Sequence, residues 1–169
     1  MTTMDSSKKL TWLTVMLYWG CIVFGLTLPG IVMIVHDAVR RHGALAEAWQ
    51  DFRLHLFAPG YNFFLIGILN ALPFMLLAVF ILLHLGTAAA KEPAIVSRRL
   101  AGVAGALIVA VGLSAWVHIA VVVHPDAQGA LAYFFLPFYL MGLIPLGYAV
   151  GRLAGHFLFK KPFTGLTRT

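Results

Sequence analysis

Four long apolar runs govern what this chain can fold into. Residues 10–35, 56–83, 100–123 and 127–151 contain no Asp, Glu, Lys or Arg, and His118 is the one histidine among them. A helix needs roughly 20 such residues to cross about 30 Å of hydrocarbon, and each run is long enough. Lipid cannot satisfy backbone N–H and C=O groups, so each run is expected to be helical. The pattern predicts an all-α integral membrane protein. It is a four-transmembrane-helix bundle with spans at about 10–35, 58–84, 99–123 and 128–153, forming a single membrane domain over 1–169.

Composition agrees. The chain has 169 residues, 61% of them hydrophobic, where a soluble domain is nearer half apolar. Four spans use nearly all of this length and leave no room for a separate soluble domain. A net charge of +6 raises the question of nucleic acid. The charges lie in short segments between the spans with no continuous basic face, so no nucleic-acid partner is expected. Lys8 and Lys9 precede the first run as in a signal peptide, but the run exceeds an h-region of about 7–15 residues. It reads as an uncleaved first span. The single cysteine, Cys21, excludes a disulfide within the monomer. Two aromatic residues, Tyr18 and Trp19, stand before Gly20-Cys21, and the apolar run continues to residue 35. Cys21 therefore reads as a small buried hydrophobe and not as a lipoprotein attachment site.

Lys and Arg are unevenly distributed. Lys8, Lys9, Lys91, Arg98, Arg99, Arg152, Lys160, Lys161 and Arg168 fall in segments that share one side; Arg40, Arg41 and Arg53 fall on the other. The positive-inside rule then places both termini in the cytoplasm. The Ala/Gly/Arg-rich composition suggests a bacterial inner membrane. The connection between the first two spans is the sizeable extramembrane piece. Within it Leu45, Trp49, Phe52 and Leu56 recur at helical spacing. Residues 44–57 are expected to form a short amphipathic interfacial helix, with Trp49 and Phe52 at headgroup depth. Aromatic residues at span ends, such as Trp12, Trp19, Tyr133 and Phe134, form the expected belt.

Small residues mark where helices approach closely. Gly147, Gly151 and Gly155 are spaced by four, a glycine zipper at the end of the fourth span. Gly102, Ala106, Ala110, Ser114 and His118 form a four-spaced line in the third span. Successive members drift by about 40° around the helix. The line cannot face one straight neighbour, so several helices, or a partner as well, are expected to enclose it. Packing within the chain is the plainer reading of both motifs.

Polar groups inside spans are costly in lipid and often functional. Asn70, Ser114 and His118 stand out. Asn70 shares a turn with Pro73, so it is placed to bond a carbonyl that a proline frees. Ser114 suits packing and a bond to its own preceding turn. His118 lies roughly 7–8 Å from the end of its span and is expected to be hydrogen-bonded to a neighbouring helix. Histidines toward opposite surfaces, His36, His55, His118 and His124 against His84 and His156, make a pair of b-type haems topologically conceivable. The surrounding sequence of a membrane cytochrome is missing, and no cofactor is expected. His36-Asp37 and His124-Pro125-Asp126 are too unspecific to assign a metal. No span carries a carboxylate, and no phosphate loop or nucleophile motif is present, so no catalytic residue is assigned.

By elimination the sequence favours a non-enzymatic membrane protein that binds another membrane protein or a membrane-inserted toxin. Self-association into a homo-oligomer stays open. Small bacterial four-helix proteins of this outline include accessory subunits of membrane complexes and immunity proteins against pore-forming toxins; the likeness is one of size and topology. A homo-oligomeric channel or transporter built on Asn70, Ser114 and His118 is the first alternative, and a haem electron carrier the second.

Overall fold

A computed structural model describes residues 3–40, 45–59, 62–87, 93–124 and 128–159. Their regular structure is entirely helical: α1 (Thr3–Arg40), α2 (Leu45–His55), α3 (Phe63–Gly86), α4 (Pro93–Val123) and α5 (Gly129–Leu158). Four of them contain stretches long and apolar enough to cross a membrane: Lys8–Arg40, Phe63–Gly86, Pro93–Val123 and Leu131–Leu158. The chain is a multi-pass membrane protein built as a helical bundle.

Helix ends depart from the hydropathy pattern for local reasons. α3 starts at Phe63 and not near 58. The Asn62 side chain accepts the Leu65 N–H at 2.9 Å, an N-cap that sets the first turn. α4 starts already at Pro93, where a missing N–H costs nothing because first-turn donors have no intrahelical partner. α5 continues past 153 to Leu158, carrying Arg152 and His156 near its end.

α1 packs along α3, and α4 along α5; the two pairs close on each other through α3 with α5, α1 with α4, and α3 with α4. Both pair interfaces rely on residues without bulk. A Cβ on Gly25 would stand 2.8 Å from the Phe74 Cβ and 3.1 Å from the Ala71 Cα, and one on Gly67 would stand 2.8 Å from the Leu26 carbonyl oxygen. Between α4 and α5, Gly105 meets the backbone of Gly147 and Gly151 directly. α3 is the most enclosed helix. Its Phe74, Leu77, Ile81 and Leu85 form the core with Cys21 of α1, Val103, Ala106 and Ala110 of α4, and Leu136 and Leu140 of α5. Outward-facing side chains such as Trp12, Trp19, Ile108 and Trp116 are apolar and exposed, as lipid contact requires.

α2 is present where the periodicity placed it, but its apolar residues divide. Ala48 is fully buried. Phe52 fills the space beside Gly30, whose absent Cβ would stand 2.7 Å from the ring, and lies 5.9 Å from the Phe63 ring. Trp49 and Leu45 stay exposed. Ala48 and Phe52 form one i, i+4 row, and Leu45 and Trp49 form the next. Only the first row faces the bundle, so α2 docks on α1 and α3 through Phe52.

Candidate functional site

Asn70, Ser114 and His118 come together in the interior. Pro29 has no N–H, which leaves the Gly25 carbonyl of α1 without its intrahelical donor. The Asn70 side-chain amide, from α3, donates to that carbonyl at 2.7 Å. Asn70 Oδ1 in turn accepts the Ser114 hydroxyl of α4 at 2.6 Å. One turn on, His118 Nδ1 bonds the Ser114 carbonyl at 2.7 Å. A carbonyl only accepts, so Nδ1 carries the proton and Nε2 presents a lone pair. That Nε2 is buried without a partner. The His118 ring packs at 5.0 Å from the Tyr133 ring of α5. All three polar residues are 2% exposed or less. One hydrogen-bonded chain therefore joins α1, α3 and α4, and a ring contact carries it to α5.

Asn70 does what its spacing suggested, for a different proline. The carbonyl it satisfies is freed by Pro29 on the neighbouring helix. Ser114 turns its hydroxyl to Asn70, not to its own preceding turn. His118 bonds within its own helix, where a bond to a neighbour was expected. Tyr133, assigned to the surface belt, is 5% exposed and packs inside against His118; Phe134 beside it is exposed as expected.

The four-spaced line of α4 is buried throughout: Gly102, Ala106, Ala110, Ser114 and His118. Different helices cover it, as its spiral requires. The Tyr148 ring of α5 lies over Gly102, α3 meets Ser114, and Tyr133 of α5 meets His118. Gly147, Gly151 and Gly155 face α4. A Cβ on Gly155 would stand 2.7 Å from the Ala101 Cβ, and one on Gly151 would run into the Ala101 carbonyl. This stripe is occupied inside the molecule.

The histidines do not gather. His84 stacks on Phe80 at 3.8 Å and bonds the Phe80 carbonyl at 3.1 Å. His55 bonds the Asp51 carbonyl at 2.8 Å, and His36 sits 3.4 Å from Asp37. Among the described residues no group of three His, Cys, Asp or Glu side chains could hold a metal ion. His42, Pro125 and Asp126 lie outside the described residues.

Two surface features escaped the sequence reading. An apolar furrow of about 380 Å³ runs between α1 and α4 near the α2 end, lined by Ile31, Val35 and Val39 against Ile119, Val122 and Val123. At the opposite end a pocket is lined by Arg98, Arg152, His156 and the buried Tyr148. From sequence the arginines read only as topology markers, and Tyr148 does not stand out. Its signal was available: Tyr148, Arg152 and His156 are four apart. The chain matches no known family, no curated protein and no solved structure.

Proposed function

We propose that this is a non-enzymatic protein of the bacterial inner membrane, with both termini cytoplasmic, that acts by binding another membrane protein or a membrane-inserted partner. An immunity protein against a pore-forming toxin and an accessory subunit of a membrane complex are the two forms this takes. The observation that carries the reading is how the spans use their polar groups. Asn70 and Ser114 bond the Gly25 carbonyl and each other, tying helices together, and they are as buried as core leucines. A conduction path would instead present such groups to a water-filled lumen. The outward surfaces are apolar, and the α1–α4 furrow offers largely β-branched walls against which an apolar helix can pack. The glycine zipper of α5 supports the bundle itself, not the partner.

A photo-cross-linking residue at Val35 or Ile119, on opposite walls of the furrow, tests this in native membranes. A discrete protein adduct from both positions, and none from the lipid-facing Ile108, is the expected result. Identical adduct patterns at all three positions would remove the furrow as a recognition surface. The channel or transporter reading keeps one observation in its favour, the unpartnered His118 Nε2. It requires an imidazole for proton transfer, so His118→Gln would abolish transport, whereas partner binding would survive it.

A further inference from the structure

One end of the bundle gathers basic groups. There α3 and α5 finish and α4 begins. A pocket of about 440 Å³ opens between Arg98 of α4 and Tyr148, Ala149, Arg152, Leu153 and His156 of α5. Helices α3, α4 and α5 contain no Asp or Glu. The adjacent Arg99, about 100° round the helix, points to α3. It donates to the His84 carbonyl at 2.5 Å and to the Thr87 hydroxyl at 3.1 Å, closing the α3 C-terminus. Arg98 has no such role. Its Nε is buried without a hydrogen-bond partner, and so is the Tyr148 hydroxyl.

Tyr148 is only 9% exposed and firmly held. Its ring meets Phe80 edge-on at 4.8 Å and His84 at 5.4 Å, and it occupies the space that the missing Cβ of Gly102 leaves. A fixed phenol hydroxyl and a buried guanidinium N–H, on two residues that line one pocket, are two donors in need of an acceptor. Arg152 adds positive charge at the rim. Guanidinium groups match the oxygens of a phosphate, which they bind in bidentate fashion.

A second cavity, a groove, shares one wall with this pocket. Pro73, Leu77 and Phe80 of α3 and Met141, Ile144 and Pro145 of α5 line an almost wholly apolar channel of about 200 Å³, with Tyr148 as the wall common to both. On α5, residues 141, 145, 148, 152 and 156 are spaced by four or three and share one face. The face is apolar as far as Pro145 and basic from Arg152 onward. A ligand that fits the whole of it has a hydrocarbon chain at one end and an oxyanion at the other.

We propose that this pocket and groove bind one phospholipid. Its phosphate sits among Arg98, Arg152 and the Tyr148 hydroxyl, and an acyl chain lies along the α3–α5 groove. The site is at the end that the basic asymmetry assigns to the cytoplasm, where anionic headgroups meet basic residues between spans. It is separate from the α1–α4 furrow and does not depend on the partner-binding reading. Free phosphate would satisfy the basic pocket alone.

Purified, delipidated full-length protein titrated in detergent separates these sources. The probes are dioleoylphosphatidylglycerol, dioleoylglycerol and inorganic phosphate, with native mass spectrometry counting bound molecules. Phosphatidylglycerol is expected to bind at least roughly tenfold more tightly than either of the others, since only it uses both halves. Arg98→Gln, Arg152→Gln and Tyr148→Phe should each weaken it by roughly tenfold, as loss of a charge-assisted contact does. Arg53→Gln, at the opposite end, should not. Tyr148→Phe keeps the ring and Arg152 is exposed, so these two variants decide the question even if Arg98→Gln fails to fold. Wild-type affinity in both of them overturns the site. Equal binding of dioleoylglycerol overturns the role of the phosphate, and equal binding of inorganic phosphate overturns that of the groove.

Discussion

The sharpest test of the fold is the addition of one methyl group at Gly151. In water a helical Gly→Ala change stabilises by about 1 kcal/mol, because alanine loses less conformational freedom. At Gly151 the added Cβ has nowhere to go. It would run into the Ala101 carbonyl and stand 3.1 Å from the Gly105 Cα. Those are backbone atoms of α4 and cannot rotate aside, so α4 and α5 must separate along the stripe that includes Gly147 and Gly155. Overpacking of this kind costs about 1–3 kcal/mol. Gly142 supplies the control on the same helix: a Cβ there meets nothing within 4 Å. Gly151→Ala should therefore be destabilised by about 1–3 kcal/mol, while Gly142→Ala should be unchanged or slightly more stable. Unfolding of both variants in mixed micelles with increasing dodecyl sulfate, followed by circular dichroism, measures the difference. If Gly151→Ala unfolds no earlier than Gly142→Ala, the close α4–α5 approach is wrong and the glycines face lipid.

The interior polar chain gives a coupled prediction. Asn70→Leu should cost about 1–3 kcal/mol by leaving the Gly25 carbonyl unsatisfied, and less in a Pro29→Ala background, where residue 29 regains an N–H for that carbonyl. Equal costs in the two backgrounds, in a double-mutant cycle, would show that Asn70 does not serve the proline. On α2, Phe52→Glu should release the helix from the bundle and expose it to protease, while Trp49→Glu should not; equal digestion of the two would contradict the docking through Phe52. His118→Gln should retain furrow cross-linking, because an amide can keep the bond to the Ser114 carbonyl; a folded variant that loses every adduct would favour the imidazole-dependent reading. Reporter fusions at residue 95 and at the C-terminus should be active only in the cytoplasm, and periplasmic activity at either would reverse the orientation.

The spans were readable because each is set by composition alone, and hydrocarbon leaves helix as the sole local solution. Their ends were less so, because Asn62 and Pro93 act through local capping that hydropathy does not register. Asn70, Ser114 and His118 stood out as polar groups in apolar runs. How they pair was not readable, since each bond but one crosses between helices and depends on register. Asn70 was matched to Pro73, its neighbour in sequence, when its partner lies 45 residues away. Tyr133 and Tyr148 were lost for the complementary reason. Tyrosine is common at membrane interfaces, and only packing distinguishes a belt residue from one held against His118 or Phe80.

The unpartnered polar atoms of the interior divide by what surrounds them. His118 Nε2 is an acceptor on a residue 1% exposed. Its ring is already fixed by the Ser114 carbonyl on one side and Tyr133 on the other. A lone pair left bare in such packing costs some stability. Arg98 Nε and the Tyr148 hydroxyl are donors, and they belong to residues that line an open pocket, with Tyr148 also forming a wall of an apolar groove. A buried donor, above all a charged one, carries the larger penalty when it stays unpaired. An accessible site is where a ligand can remove that penalty. The same measure, unsatisfied hydrogen-bonding capacity, thus assigns a structural role to the histidine that the sequence made most conspicuous. It points to binding by a tyrosine that the sequence reading does not single out and by an arginine that it reads only as a topology marker.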